Sequence, residues 1–283
     1  MTTLFPLKQL PGSAEALLRA SISTLKKPGK KLPEKGYTFS GLKIDPQQYR
    51  AYCNLFGLKG DKVPSPYWFI RLFSVKSLLL AHPEAPFPLP GMVHLSNEIR
   101  QYEPIFTDDA LEMTCKFGNL LGHDKGTAIE IVCTLSKGTR LVWEQKMVNL
   151  YMGKKGLSTI LYESPAIELT APDATENWQL AENLGFKYAR VSGDYNPIHL
   201  HPMGAKLFGF PRHIIHGWYS LNRCVAPFED IITGTHELYV SFKKPLYLPG
   251  NVVARSQKNE KEILFDVINA KEGYPHLKGF LKF

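Results

Sequence analysis

The stretch Tyr188-Ala189-Arg190-Val191-Ser192-Gly193-Asp194-Tyr195-Asn196-Pro197-Ile198-His199 holds the densest chemistry in the chain. Pro197 forbids a continuous helix and biases Asn196 toward extended backbone. Gly193, Asp194, Asn196 and Pro197 are all turn formers, so a tight loop is predicted. On a helix, side chains five residues apart would diverge by about 140°. A loop can instead turn Asp194 and His199 toward one point. An acid beside an imidazole is a natural proton-transfer pair, in which one group orients or deprotonates a water while the other relays the proton. The same residues are also common turn chemistry, and a single histidine also fits as a satisfied, half-buried one. At the level of residues both readings stand.

Downstream, His216-Gly217-Trp218 opens an apolar helix predicted over 217–227. A helix start offers unpaired N–H groups and the positive end of the dipole. Gly217 has no side chain, so a carbonyl oxygen could approach its N–H, as in an oxyanion hole able to stabilise an enolate. His199, His201, His213 and His216 also include H-x-H and H-x-x-H spacings, which a metal could use. No His-Glu-x-x-His or cysteine pair accompanies them, and no metal is expected. The usual G-x-S-x-G, P-loop and G-x-G-x-x-G motifs are missing as well. Cys53, Cys115, Cys133 and Cys224 are scattered, which fits a reducing compartment rather than a disulfide framework.

Around this centre the second half reads as a helix over 175–190, a turn-rich loop, the 217–227 helix, and strands at 235–248, 251–258, 261–270 and 275–282. The first half has a similar order. A helix is predicted over 12–27, with Ser13 as N-cap and Leu17, Leu18 and Ile22 as its apolar stripe. The basic, proline-bearing run 26–33 follows; a solvated connection suits it better than a nucleic-acid arm, because no aromatics are interleaved. Asp45-Pro46 marks another helix start, and Tyr67 to Ala81 reads as a strand leading into a buried helix. Strand-like runs then cover 92–106, 110–119, 127–136 and 140–151. At an offset of 141, Ile99 matches Val240, Pro104 matches Pro245 and Leu111 matches Val252. Two copies of a helix wrapped by an antiparallel sheet, an α+β architecture, is the economical reading.

Length agrees: 283 residues suit about two domains. With 44% hydrophobic and 21% charged residues the chain can bury a full core. Its apolar runs are far shorter than a membrane span, no secretory signal opens it, and the last three residues match no targeting tripeptide, so a cytoplasmic protein without membrane insertion is expected. The 34 basic residues against 26 acidic ones give +8, which suits either an anionic partner or plain solubility.

The stretch from Tyr188 to His199 resembles the signature of the MaoC-like, or hydratase 2, family of (R)-specific enoyl-CoA hydratases. The similarity continues through Phe210-Pro211-Arg212, Ile215, His216 and Gly217, and through the run from Val240 to Gly250. In the first half, the runs from Val63 to Tyr67 and from Phe87 to His94 resemble the N-terminal half of two-hotdog members. The resemblance implies a double hotdog, each half a long central helix wrapped by an antiparallel sheet. Residues 1–155 would be a degenerate hotdog housing the acyl chain, and 156–283 the catalytic one. Asp194 and His199 would activate water, Asn196 would hold the loop, and the Gly217 N–H would bind the thioester oxygen. His216, Trp218 and Arg212 would contact substrate.

The implied reaction is reversible syn hydration of a trans-2-enoyl thioester to the (R)-3-hydroxyacyl form, with no cofactor. The implied partner is an acyl-CoA or acyl-carrier thioester rather than nucleic acid, and the protein would be a monomer or homodimer. Gly60-Asp61-Lys62-Val63-Pro64 echoes Gly193 to Pro197, with Val63 at the place of the asparagine and Pro66 at that of the histidine. The first copy would then lack the acid–base pair. His213 and Trp218 depart from the family pattern, and the indole could narrow the acyl pocket or fill the core. A hotdog thioesterase and a non-catalytic acyl-binding module are the alternatives.

Overall fold

Alternation of period two decides the sheet. Along β4 (Leu111–His123), Leu111, Met113, Cys115 and Phe117 are buried while Glu112 between them is exposed. The computed structural model describes residues 2–12, 15, 18–19, 31–88 and 91–283. Most of the helix expected over 12–27 and most of the basic run after it lie outside the described residues.

The other strands are β1 (Thr3–Pro6), β2 (Lys35–Leu42), β3 (Val93–Gln101), β5 (Gly126–Lys137), β6 (Arg140–Met152), β7 (Ala174–Leu180), β8 (His236–Phe242), β9 (Gly250–Lys258), β10 (Glu262–Asn269) and β11 (Pro275–Lys282). The described residues form one 11-stranded sheet in the order β1-β2-β4-β5-β6-β3-β8-β11-β10-β9-β7. Without β1, which pairs parallel with β2, this order is palindromic: β2, β4, β5, β6 and β3 are answered by β7, β9, β10, β11 and β8. The halves meet where β3 pairs antiparallel with β8, Glu98 opposite Tyr239. Those two residues are each other's counterparts at the offset of 141, so the repeat and the register share one centre.

Helices α1 (Pro46–Phe56), α2 (Tyr67–Arg71) and α3 (Phe73–Leu80) belong to the first half. Asp45 caps α1, its carboxylate accepting the N–H groups of Gln47 and Gln48. The strand expected at the start of Tyr67–Ala81 does not form. Tyr67, Trp68, Ile70, Leu72, Val75 and Leu79 are all buried, and a run apolar on every side is satisfied by an enclosed helix as well as by a strand.

The second half contains α4 (Leu184–Ser192), α5 (Pro197–Leu200), α6 (Pro202–Lys206), α7 (Gly217–Val225) and α8 (Glu229–Ile232). The helix expected over 175–190 is instead strand β7 followed by α4. Trp178 and Leu180 turn inward from β7, with Trp178 opposite Val252 of β9. Two strands end earlier than their apolar runs, at Gln101 and Phe242. Pro104 and Pro245 follow those ends, and proline cannot donate to a ladder.

Side chains also tie the halves together. The Tyr52 hydroxyl donates to Asn222 Oδ1 at 2.5 Å, and Ser65 Oγ bonds His236 Nε2 at 2.7 Å. The cysteines are free and buried. Cys115 and Cys133, far apart in sequence, face each other across β4 and β5 with Sγ atoms 3.0 Å apart. Among the described residues no helix is long and apolar enough to cross a membrane.

Candidate active site

Helix α4 ends where Gly193 takes a left-handed backbone (φ 74°). The chain then turns through Asp194 and Asn196 into the short helix α5, which starts on Pro197. Asn196 supports the turn: its Oδ1 accepts from Ile198 N at 3.4 Å, and its own N–H donates to Asp194 Oδ1 at 3.1 Å. The sequence placed the turn correctly. The first half differs, however, because the left-handed glycine ending α1 is Gly57 (φ 69°) rather than Gly60. Its loop is longer, and Glu229 accepts the N–H groups of Lys59 and Gly60.

His199 is buried, and its Nδ1–H donates to the Ile214 carbonyl at 2.8 Å. That bond selects the tautomer and leaves Nε2 with its lone pair free to accept a proton. His216 lies face to face with His199, ring centroids 3.7 Å apart. Its Nε2–H donates to the Asp194 carbonyl at 2.9 Å, and the Asp194 carboxylate sits 3.8 Å from the same nitrogen. Tyr188 packs edge-on against His216 from behind. The loop therefore brings Asp194, His199 and His216 together.

The electrostatics of the three groups follow from burial. Burial raises Asp194, with the nearby His199 and the Asn196 N–H opposing it. Burial lowers His199, against the pull of Asp194. His216 is held well below the ordinary imidazole value by burial and by His199. Both environments favour the neutral forms, which draws the two catalytic candidates' proton affinities toward each other.

His216 occupies the position before α7, so Gly217 opens that helix beside the two side chains. A Cβ at Gly217 would lie 2.7 Å from the Phe242 ring, so packing as well as access requires glycine here. Trp218 is buried, donates its indole N–H to the Pro66 carbonyl at 3.0 Å and stacks on Phe69 at 3.9 Å. It forms part of the wall between the halves. Arg212 is exposed, with its guanidinium 5.6 Å from the Tyr247 ring centroid.

Asp194, His199 and His216 offer ligand atoms within 4.8 Å of one another. Imidazole lone pairs lie in the ring plane, and two rings stacked 24° from parallel do not aim theirs at a common ion. The other two histidines of the spacing pattern are engaged elsewhere, His201 with Met203 N and His213 with the Glu182 carbonyl. The arrangement fits proton transfer beside a helix start better than metal ligation. Sequence reasoning missed the Ile214 carbonyl, a backbone group with no side-chain signature, and Phe242, whose run carried the resemblance but no role for that ring.

Residues 166–279 match the MaoC like domain family. The chain is 32% identical over 271 residues to 3-hydroxyacyl-thioester dehydratase X of Mycobacterium tuberculosis, covering 94% of this chain and 96% of the relative. The crystal structure of HtdX from the same organism superposes with a TM-score of 0.75 at 30% identity, covering 87% of this chain and 98% of that one. A Mycobacterium tuberculosis protein described as a double hotdog fold shares the architecture at 11% identity and a TM-score of 0.56, covering 91% and 96% of the two chains. With the palindromic sheet, the signature loop and a relative alike over nearly its whole length, the chain belongs to the MaoC-like family and has its double hotdog fold.

Proposed function

We propose that the protein is a hydro-lyase acting on acyl thioesters, an (R)-specific enoyl-thioester hydratase and, in reverse, a 3-hydroxyacyl-thioester dehydratase. The observation that carries this reading is the tautomer of His199, pinned through Nδ1 to Ile214 so that a basic Nε2 is left next to Asp194 at the start of α7. Water held between Asp194 and His199 Nε2 gives up a proton as its oxygen adds to C3 of the enoyl thioester. Electron density moves onto the thioester oxygen, where the Gly217 N–H stabilises the enolate. The pair then returns a proton to C2 on the same face, so one water is added syn and nothing else is consumed. Asn196 and His216 position the loop through the bonds described above.

Residues 156–283 carry this chemistry in our reading, and residues 1–155 form a degenerate copy that houses the acyl chain. Trp218 shapes the wall between the two. Arg212 is assigned to the phosphates of CoA or an acyl carrier.

The test is hydration of a trans-2-enoyl-CoA panel by purified protein, with chiral analysis of the product. The (R)-3-hydroxyacyl product is expected, and Asp194→Asn or His199→Gln should each lower turnover by about 10²-fold or more. Wild-type rates in both variants would overturn the role assignment. Release of free thiol without a hydroxyacyl product would replace hydration by thioester hydrolysis.

A further inference from the structure

The first half contains a second polar cluster that the reaction does not use. Lys76 on α3 is only 2% exposed. Its ammonium donates to the Phe69 carbonyl at 2.9 Å and to Gln145 Oε1 at 3.2 Å, and lies 3.3 Å from the centroid of the Phe69 ring. These partners are all neutral. The neighbouring Cys115 thiol is held above its ordinary value by burial and supplies no anion.

The sheet face beneath Lys76 is polar too. Register pairs Ile99 with Gln145, Asn97 with Met147 and His94 with Asn149, so these side chains share one face. Asn97 and Gln145 are 1% exposed and Asn149 7%. Asn97 bonds His94 at 2.9 Å. Asn97 Oδ1, Gln145 Nε2 and Asn149 Nδ2 have no hydrogen-bond partner among the described residues. Buried amides are normally satisfied, and a cluster holding several unpaired groups is unusual. Burial holds Lys76 down to about 7, and burial together with the Lys76 charge holds His94 down to about 3.

The cluster adjoins the candidate active site. The Phe242 ring that closes against Gly217 has its other neighbour in His94, centroids 4.7 Å apart. Phe69, which lies over Lys76, stacks on Trp218. An acyl chain whose thioester sits at Gly217 meets these rings first, and they must turn aside for its far end to reach Lys76.

We propose that this cluster receives the distal end of the acyl chain, and that the chain bears an oxygen acceptor there, a carboxylate or a carbonyl. The inference rests on the acyl-thioester reading above and narrows its substrate class. A plain hydrocarbon end would leave the ammonium without a counter-charge and the Gln145 and Asn149 amide N–H groups unpaired in an enclosed site, where that is most costly. An acceptor oxygen would take those donors, and a carboxylate would also neutralise Lys76.

The experiment measures binding of saturated CoA thioesters of matched length to the full chain by calorimetry. One probe ends in a methyl group, one carries a keto group near its end, and one ends in a carboxylate. At least one oxygenated probe is expected to bind about tenfold or more tightly than the alkyl probe. An advantage confined to the carboxylate identifies charge pairing, and one shared by the keto probe identifies hydrogen bonding; either supports the proposal. Lys76→Met should shrink the ratio between oxygenated and alkyl probes by about tenfold, and Gln145→Leu provides the same reading should the first variant fold poorly. Equal or tighter binding of the alkyl probe overturns the proposal, as does an unchanged ratio in both variants. Turnover of the matching 2-enoyl thioesters, assayed separately, keeps the two readings apart. Preferential binding without hydration would overturn the reaction, while hydration without preference would overturn only the polar pocket.

Discussion

At the scale of the residue, burial moves the two members of the proposed acid–base pair in opposite directions, and each shift has a sign that can be read in solution. His199 protonates below its ordinary value of 6.5. The acid limb of the hydration rate is therefore expected below pH 6.5, and a limb above it would contradict the described environment. In the same window the unfolded chain takes up a proton that the native imidazole refuses, so stability falls with falling pH until the native value is reached. Asp194 behaves in the opposite sense. Its native carboxyl keeps a proton above 3.8, where the unfolded chain has lost it, so its contribution to stability falls as pH rises through that window and is constant above it. Comparing the pH dependence of Tm in wild type and His199→Gln isolates the histidine's share.

Gly217 gives a second expectation at this scale. A methyl group there meets the Phe242 ring at 2.7 Å, so Gly217→Ala should destabilise the fold by about 1–3 kcal/mol. It should also lower kcat more than a neutral surface change, because the ring or the helix start must shift. Unchanged melting and unchanged kcat would remove Gly217 from the site. The turn that carries Asp194, Asn196 and His199 and the helix start at Gly217 were legible in the sequence because both constrain residue type. The face-to-face contact of His199 with His216 was not, since stacking across 17 residues leaves no periodic trace.

At the scale of the element, strands with one buried face announced themselves by alternation, as Leu111 to Phe117 did. Misreadings arose where local pattern was ambiguous. The run from Ala174 to Leu180 joins the helix-like Ala181-Glu182-Asn183 without a glycine or proline between them, and only its pairing with β9 makes it a strand. Trp68, Phe69 and Ile70 favour strands by type, but the run is a helix that buries Tyr67, Trp68 and Ile70.

Elements are also held by single polar contacts whose value can be measured. Arg255 of β9 grips the buried Asp266 of β10 with two bonds, at 2.9 and 2.6 Å. Asp266→Ala removes two charge-assisted bonds from Arg255, whose side chain is about 30% exposed, and should cost about 1.5–3 kcal/mol in urea unfolding. The Tyr52 hydroxyl joins α1 to α7 through Asn222, and Tyr52→Phe should cost about 1–3 kcal/mol. Changes below about 0.5 kcal/mol in either case would show that water replaces the lost bond.

At the scale of the whole molecule, two halves share one sheet, and their backbones pair along β3 and β8. The offset of 141 exposed the repeat, but only the register located its centre at Glu98 and Tyr239. That seam has a consequence in time. Neighbouring strands such as β4 and β5 close over a two-residue turn, whereas β3 and β8 join segments separated by about half the chain. Pairings so distant in sequence carry the largest loop-closure cost and form late. His199 and Asp194 lie within the second half, but Trp218, next to Gly217, packs against Pro66 and Phe69 of the first. During refolding from urea, far-UV ellipticity should therefore recover before enzymatic activity, and simultaneous recovery would mean that the seam forms along with the strands on either side. Competence for catalysis then marks the last pairing event of the chain, when two sheets become one.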